Sequence, residues 1–323
     1  MRVGLVGTGR IGELHLQALA ADPGCAELVV FDVEVERART LAAAHGAQVA
    51  PSTDAVIESA DALVIASPTP THADLLRQAM AAGLPTFCEK PVATTLEEVV
   101  ALAAAADRDG SVVQVGFHYR FDPMLRALAA RARGDGPRSL RVHSTTEFAP
   151  SPAYLASAGG LVADKLIHEL DLVRWLTGAE VLRVAALPTA DPTDGGEPMT
   201  AALVLQLSDG GLANVWGGYR SAAGFDLSVE VESSEEVIVA GSRRSTGDAP
   251  HAVAPSSVVD FRHRFAAAYR AELVTFLDLA RGAVPNPCPL TEAVRTQRVV
   301  AAAQEALASA RVVDVRDDDP VGG

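Results

Sequence analysis

The most restrictive feature of this chain is its opening. A β-branched run over residues 2–7 passes directly into Gly7-Thr8-Gly9-Arg10-Ile11-Gly12 and then into a helical pattern. In that setting the first glycine turns the backbone. The second lets a pyrophosphate approach, and the third lets helix and strand pack closely. The helix start then offers its N–H groups and positive dipole to phosphate. Asp32 closes the next strand-like run, 20 residues after Gly12, and no arginine follows it directly. A carboxylate there accepts hydrogen bonds from a ribose diol and repels a 2′-phosphate, so NAD is expected rather than NADP.

The alternation continues to residue 118. Strands are expected over 2–7, 27–32, 62–66, 85–88 and 112–116, with helices over 11–21, 34–45, 71–82 and 95–106. Thr71 with Asp74, and Thr95 with Glu98, read as capping boxes or close variants. Strands alternating with helices give βαβ units and a parallel sheet covered on both faces. After Tyr119 the pattern changes to one helical stretch over 159–177. Strand-like runs follow at 181–190, 199–208, 212–219, 225–231 and 236–240, with Asp209-Gly210-Gly211 as a hairpin turn. Helices near 265–281 and 291–310 close the chain, and 191–198 and 242–257 read as surface loops, with a mobile tail over 316–323. The expected fold class is α/β: a doubly wound parallel Rossmann sheet in residues 1–119, then an α+β domain with a large open antiparallel sheet in residues 120–323.

Composition narrows the partners. With 27 basic against 41 acidic residues the net charge is −14, which argues against nucleic acid or an anionic membrane surface. Cys25, Cys88 and Cys288 are odd in number and widely spaced, so neither a disulfide framework nor a structural zinc site is expected. No charged leader with its own apolar segment opens the chain, and no apolar stretch reaches about 18 residues. A cytoplasmic location without a membrane span is the expectation.

Two segments carry candidate chemistry. Phe87-Cys88-Glu89-Lys90-Pro91 ends a parallel strand at the edge where open α/β sheets bind ligands. A lysine anchored there by a proline can point into a cleft. Further on, Asp164, His168, Asp171 and Trp175 share one helical stripe, while Leu166, Ile167, Leu170 and Val173 occupy the opposite half. Aspartates flanking a histidine orient the imidazole and suit general base work. The histidines and aspartates are accounted for as acid–base groups, and no metal is expected.

On these residues the sequence resembles the Gfo/Idh/MocA family of NAD(P)-dependent sugar and polyol dehydrogenases over nearly its whole length. The resemblance is carried by VGLVGTGRIGELHLQAL, SPTPTHADLLRQAMAAGLPTFCEKP, VGFHYRFDP, GGLVADKLIHELDLVRWLTG and RFAAAYRAELVTFLD. Among subgroups it is most similar to inositol dehydrogenases. The resemblance implies that Lys90, Asp164 and His168 are catalytic and touch substrate, with Asp171 as a further substrate contact. It implies cofactor contacts at Gly7, Thr8, Gly9, Arg10, Ile11, Asp32, Ser67, Pro68, His72, Glu89, Lys90, His118 and Tyr119. It also implies a homodimer or homotetramer paired through the open sheet face, where the apolar run 201–207 leaves few polar positions.

The chain departs from the inositol subgroup at Phe225-Asp226, where that group carries Tyr-Asp, and at Lys165, where a small polar residue is usual. The stretch between His143 and Asp164 is longer, and the Gly-Pro-rich segment expected around 286–290 is absent. The expected activity is oxidation of a secondary hydroxyl of a cyclic polyol or sugar to a ketone by hydride transfer. The alternatives are an aldose, an aminocyclitol or a nucleotide-linked sugar as substrate, or a non-catalytic NAD-binding regulator.

Overall fold

The computed structural model describes residues 1–132, 138–147, 150–189, 198–221, 224–241 and 260–316. Apart from residues 198 and 316, the expected loops 191–198 and 242–257 and the tail 316–323 lie outside these. The chain forms two compact units: Met1–Phe121 with Ala266–Arg295, and Asp122–Phe265 with the described residues from Thr296 to Arg316.

In the first unit, β1 (Arg2–Val6), α1 (Arg10–Ala20), β2 (Glu27–Phe31), α2 (Val35–His45), β3 (Gln48–Val49) and α3 (Thr53–Ser59) form the first half. The second half is β4 (Ala62–Ile65), α4 (His72–Ala81), β5 (Thr86–Glu89), α5 (Leu96–Asp109) and β6 (Val113–Gly116). The sheet runs β3-β2-β1-β4-β5-β6 and is parallel throughout. All residues of β4, β5 and β6 are buried, as helices on both faces require. The strand order reverses between β1 and β4, and ligands bind outside the carboxyl ends of strands at such a switch point. The five expected strands appear as β1, β2, β4, β5 and β6. β3 holds just two residues, too few to leave a pattern. Thr95 Oγ1 caps α5 by accepting from Glu98 N, as its spacing predicts. Thr71 differs: its hydroxyl is engaged by Ser67 and the Pro68 carbonyl, and it does not cap α4.

The second unit comprises α6 (Pro123–Ala132), β7 (Ser139–Thr145), α7 (Pro152–Ala158), a π-helical turn (Val162–Leu166), α8 (Ile167–Thr177), β8 (Val181–Pro188) and β9 (Thr200–Leu207). β10 (Leu212–Gly218), β11 (Asp226–Glu232), β12 (Val237–Gly241) and β13 (Val313–Asp314) complete it. Its sheet runs β12-β11-β7-β10-β9-β8-β13. Every pairing is antiparallel except β7 with β10. β7, which the sequence pattern leaves unassigned, is an inner strand, third in this order, with Leu140 and Val142 buried and Arg141 outward. β9 alternates in the same way, with Ala201, Leu203, Leu205 and Leu207 inside and Ala202, Val204 and Gln206 outside. The expected single helix over 159–177 is instead a π-helical turn followed by α8, and Gly159, at φ 82°, ends α7 ahead of them in the left-handed region.

Two helices close the chain, α9 (Phe261–Ala280) and α10 (Leu290–Ser309). From α9, Leu273, Phe276 and Leu277 complete the first unit's core against Leu16, Leu19 and Phe87. Each is at most 1 % exposed, and such burial is worth about 1.5–3 kcal/mol per side chain.

Candidate active site

In the first unit the turn from β1 to α1 is fixed by close contacts. A Cβ on Gly12 would lie 2.0 Å from the Gly7 carbonyl oxygen, and one on Gly7 would lie 2.5 Å from Ser67 N. At Gly9 it would meet nothing within 4 Å. Gly9 also begins α1 without a side-chain cap, and the first turn of a helix presents backbone N–H groups that have no acceptor within the helix. That combination suits an anionic phosphate, and the pyrophosphate of NAD fits it.

Asp32 follows β2 and accepts four hydrogen bonds. Oδ2 takes Thr8 N at 2.6 Å and Thr8 Oγ1 at 2.8 Å, while Oδ1 takes Glu34 N at 2.8 Å and Arg37 Nη2 at 2.7 Å. Burial alone would raise its pKa, but the Arg37, Glu34 and Thr8 donors outweigh it and hold the carboxyl down at about 2. The carboxylate is charged at neutral pH. Arg37 is not marked by the sequence pattern, because no arginine directly follows Asp32. The start of α2 brings it back from five positions on.

His72, expected to contact the cofactor, is 1 % exposed. Its Nε2 lies 2.7 Å from the Ser67 carbonyl and its Nδ1 lies 2.8 Å from the Pro91 carbonyl. Burial lowers its pKa against those two carbonyls. It thus ties the loop after β4 to the turn after β5 instead of facing a ligand. In that turn, Glu89 Oε1 pairs with His15 Nε2 at 2.7 Å and Oε2 accepts from Lys90 N at 3.2 Å. Lys90 is half-buried, as are Ile11 and Ser67, whereas Arg10 and Pro68 are exposed. His118 and Tyr119 are buried, and His118 stacks on Tyr269 with ring centroids 4.5 Å apart.

In the second unit Asp164 sits inside the π-helical turn, a feature common at functional sites. Tyr219 Oη donates to its Oδ2 at 2.6 Å and Tyr154 Oη to its Oδ1 at 3.1 Å. Burial, then the adjacent Asp164 charge, raises the Tyr219 pKa, so its hydroxyl stays protonated as a donor. Asp164, His168 and Trp175 are all half-buried. Neither tyrosine is marked by the sequence spacing: Tyr219 ends an unremarkable strand run and Tyr154 lies ten residues before Asp164.

Asp171 departs from the expected stripe. It is 0 % exposed and its Oδ1 accepts from Thr296 Oγ1 at 3.1 Å, while Arg174 Nη1 donates to the same hydroxyl at 3.0 Å. Three positions past His168 on α8, its side chain has rotated by about 60° toward the packed side. Lys165 is also turned inward, donating to Ser144 Oγ at 2.6 Å with Glu169 Oε1 at 3.7 Å. His143 stacks on Trp216, with centroids 4.6 Å apart, and stands 3.2 Å from Asp226 Oδ2. Phe225 packs edge-on against Phe265.

Residues 1–117 match the Gfo/Idh/MocA oxidoreductase family's NAD-binding Rossmann fold, and residues 137–315 match its C-terminal alpha/beta domain. The chain belongs to the Gfo/Idh/MocA family. It is 34 % identical to the myo-inositol dehydrogenase Hyg17 of Streptomyces leeuwenhoekii, covering 89 % of this chain and 90 % of that one. It is 32 % identical to the inositol 2-dehydrogenase of Rhizobium meliloti, covering 86 % and 88 %. The solved myo-inositol dehydrogenase of Corynebacterium glutamicum superposes with a TM-score of 0.87 at 31 % identity, covering 98 % of this chain and 99 % of that one. As a Gfo/Idh/MocA oxidoreductase, the chain carries its NAD-binding fold in the parallel sheet and its alpha/beta domain in the mixed sheet. Among the described residues no helix is long and apolar enough to cross a membrane.

Proposed function

We propose that this chain is an NAD-dependent dehydrogenase that oxidises a secondary hydroxyl of an inositol-like cyclic polyol to the ketone. The observation that carries this reading is the π-helical turn, where two tyrosine hydroxyls pin Asp164 one turn before the half-exposed His168. The names borne by the relatives favour the same substrate class.

In this reading His168 removes the hydroxyl proton, and Asp164 orients the imidazole and stabilises the cation that forms. Lys90 donates a hydrogen bond to the same oxygen and stabilises its growing negative charge. Bound NAD supplies the hydride acceptor for the hydrogen on the reacting carbon. Gly7, Thr8, Gly9, Arg10 and Ile11 cradle the pyrophosphate, and Asp32 receives the ribose diol. Ser67, Pro68, Glu89, Lys90, His118 and Tyr119 complete the cofactor site, while His72 positions two of its loops. Asp171 is better read as an anchor to Thr296 than as a substrate contact, given its complete burial.

We assign cofactor binding to residues 1–119 and substrate and subunit contacts to residues 120–323. A homodimer or homotetramer through the outer face of the mixed sheet is favoured by one observation. Leu187, Val204, Leu212, Trp216, Val237 and Val239 share that face and are each at least 41 % exposed. A cytoplasmic location fits a chain whose three cysteines are odd in number and widely spaced.

The test is NADH formation across inositols, aldoses and aminocyclitols. A cyclic polyol should give the highest kcat/KM. Lys90→Met and His168→Ala should each lose about 100- to 10,000-fold in turnover while retaining NADH binding. Near-normal turnover in either variant, or NADH binding with no polyol oxidised, would overturn the reading.

A further inference from the structure

Beside the turn that bears Lys90, the first unit buries a group of polar side chains that the proposed reaction does not use. Glu272 of α9 is 0 % exposed, and neither of its carboxyl oxygens has a hydrogen-bond partner. Gln114 of β6 donates its Nε2 to the Glu272 carbonyl at 3.1 Å, yet its own Oε1 is buried without a partner. His15 of α1 gives Nε2 to Glu89, and its Nδ1 is likewise buried and unpartnered. Such clustering is uncommon, because buried polar atoms are nearly always satisfied.

The donors around the two carboxyl groups are unequal. Glu89 receives the Lys90 N–H and pairs with His15, an environment for a carboxylate. His15 reaches Glu89 through Nε2 alone, and its Nδ1 contributes nothing to either carboxyl group. Glu272 has no donor at all, and an isolated buried carboxylate is strongly disfavoured. Burial first, then the nearby charge of Glu89, raises the Glu272 pKa well above the carboxylate range. Among the described residues, the other titratable groups facing this cluster include Tyr269 on α9, Arg10 at the start of α1, Cys88 on β5, His72 on α4, and His118, which stacks on Tyr269. The Tyr269 hydroxyl is pushed up by burial, Glu89 and Glu272, against a lowering by Arg10.

We propose that Glu272 is a positioning residue: a neutral carboxyl whose proton leaves one charge on Glu89, and so holds the Glu89–His15 pair and the Lys90 turn in one arrangement. This rests on the reading of Lys90 as catalytic. When Glu272 loses its proton, two carboxylates face each other inside the fold, and the Glu89–His15 contact is the one that can yield. The turn then shifts, and a displacement of the order of 1 Å at a reacting group costs about 100-fold in rate.

The experiment uses the full-length chain and Glu272→Gln, which keeps shape and neutrality. Infrared spectra at neutral pH should contain a neutral-carboxyl carbonyl stretch that Glu272→Gln removes. Turnover of whichever polyol the wild type oxidises should stay within about twofold at neutral pH. Its alkaline decline should move upward by about one pH unit or more. Glu272→Leu should lower kcat by about tenfold or more with the NADH dissociation constant nearly unchanged. Absence of the infrared band, or an unchanged alkaline limb in Glu272→Gln, would overturn the proposal. If the wild type oxidises no polyol, the substrate reading fails by itself, and the infrared band still decides the state of Glu272.

Discussion

Tyr219, at the end of β10, donates its hydroxyl proton to Asp164 at 2.6 Å and so holds one carboxylate oxygen of the π-helical turn in place. Tyr154 holds the other from a more exposed position, at 3.1 Å. A hydrogen bond to a charged group contributes about 1.5–3 kcal/mol. Tyr219→Phe should therefore lower kcat by about 10- to 100-fold with a smaller change in KM. Tyr154→Phe should cost only about threefold, because water can replace an exposed donor. Steady-state kinetics on both variants checks this, and equal losses would contradict the ranking.

The glycines after β1 should separate folding from binding. Gly12→Ala puts a methyl group 2.0 Å from the Gly7 carbonyl, and forced overpacking costs about 1–3 kcal/mol. Its thermal midpoint should fall by several degrees. Gly9→Ala meets no protein atom within 4 Å and should melt like wild type. It should still weaken NADH by about tenfold or more, because the added methyl group occupies the phosphate approach. Calorimetry and NADH fluorescence titration together read both effects.

Cofactor preference should turn on Asp32 and Arg37. Asp32→Ser removes the acceptor for a ribose diol and frees Arg37 from its 2.7 Å contact. NAD should lose about 10- to 100-fold in kcat/KM, while NADP gains through a cation able to meet its 2′-phosphate. Adding Arg37→Ala to Asp32→Ser should abolish the NADP gain. Paired kinetics with the two cofactors tests this directly.

Two carboxyls should shape stability at opposite ends of the pH scale. The Asp32 pKa is depressed to about 2 in the folded chain, against about 3.9 unfolded. Its contribution is thus complete above the unfolded value and is lost as pH falls through about 2. The stability difference between wild type and Asp32→Asn should shrink over that acid range. The Glu272 pKa is raised, so its contribution is complete below the unfolded value and is lost as pH rises toward the folded one. Glu272→Gln should therefore gain on wild type as pH rises. Thermal melts at stepped pH check both signs.

The parallel sheet is legible because its strands are mainly apolar and its turns carry glycine or capping residues; Gly7, Gly9 and Thr95 each mark an element boundary. β7 leaves a weak pattern in the sequence because Leu140 and Val142 are its only large apolar residues on the packed side, and Arg141 and His143 dilute the alternation. Lys90, Asp164 and His168 stand out by residue type and spacing. Their supporting partners do not. Tyr219 reaches Asp164 over 55 positions and Glu272 joins the Glu89 cluster from a helix near the end of the chain. Asp171 shares the polar stripe by helical rotation alone, whereas its burial and its bond to Thr296 come from tertiary packing that spacing does not encode.

Leu273, Phe276 and Leu277 have a consequence for biogenesis. The parallel sheet is encoded within the first 116 residues, yet its core is closed by side chains more than 150 positions later. A nascent chain emerges at about 5–20 residues per second, so the half-built sheet must wait several seconds with part of its apolar surface uncovered. A fragment ending near residue 119 lacks those three side chains permanently and should behave as a sticky, chaperone-dependent species instead of a free-standing dinucleotide-binding domain.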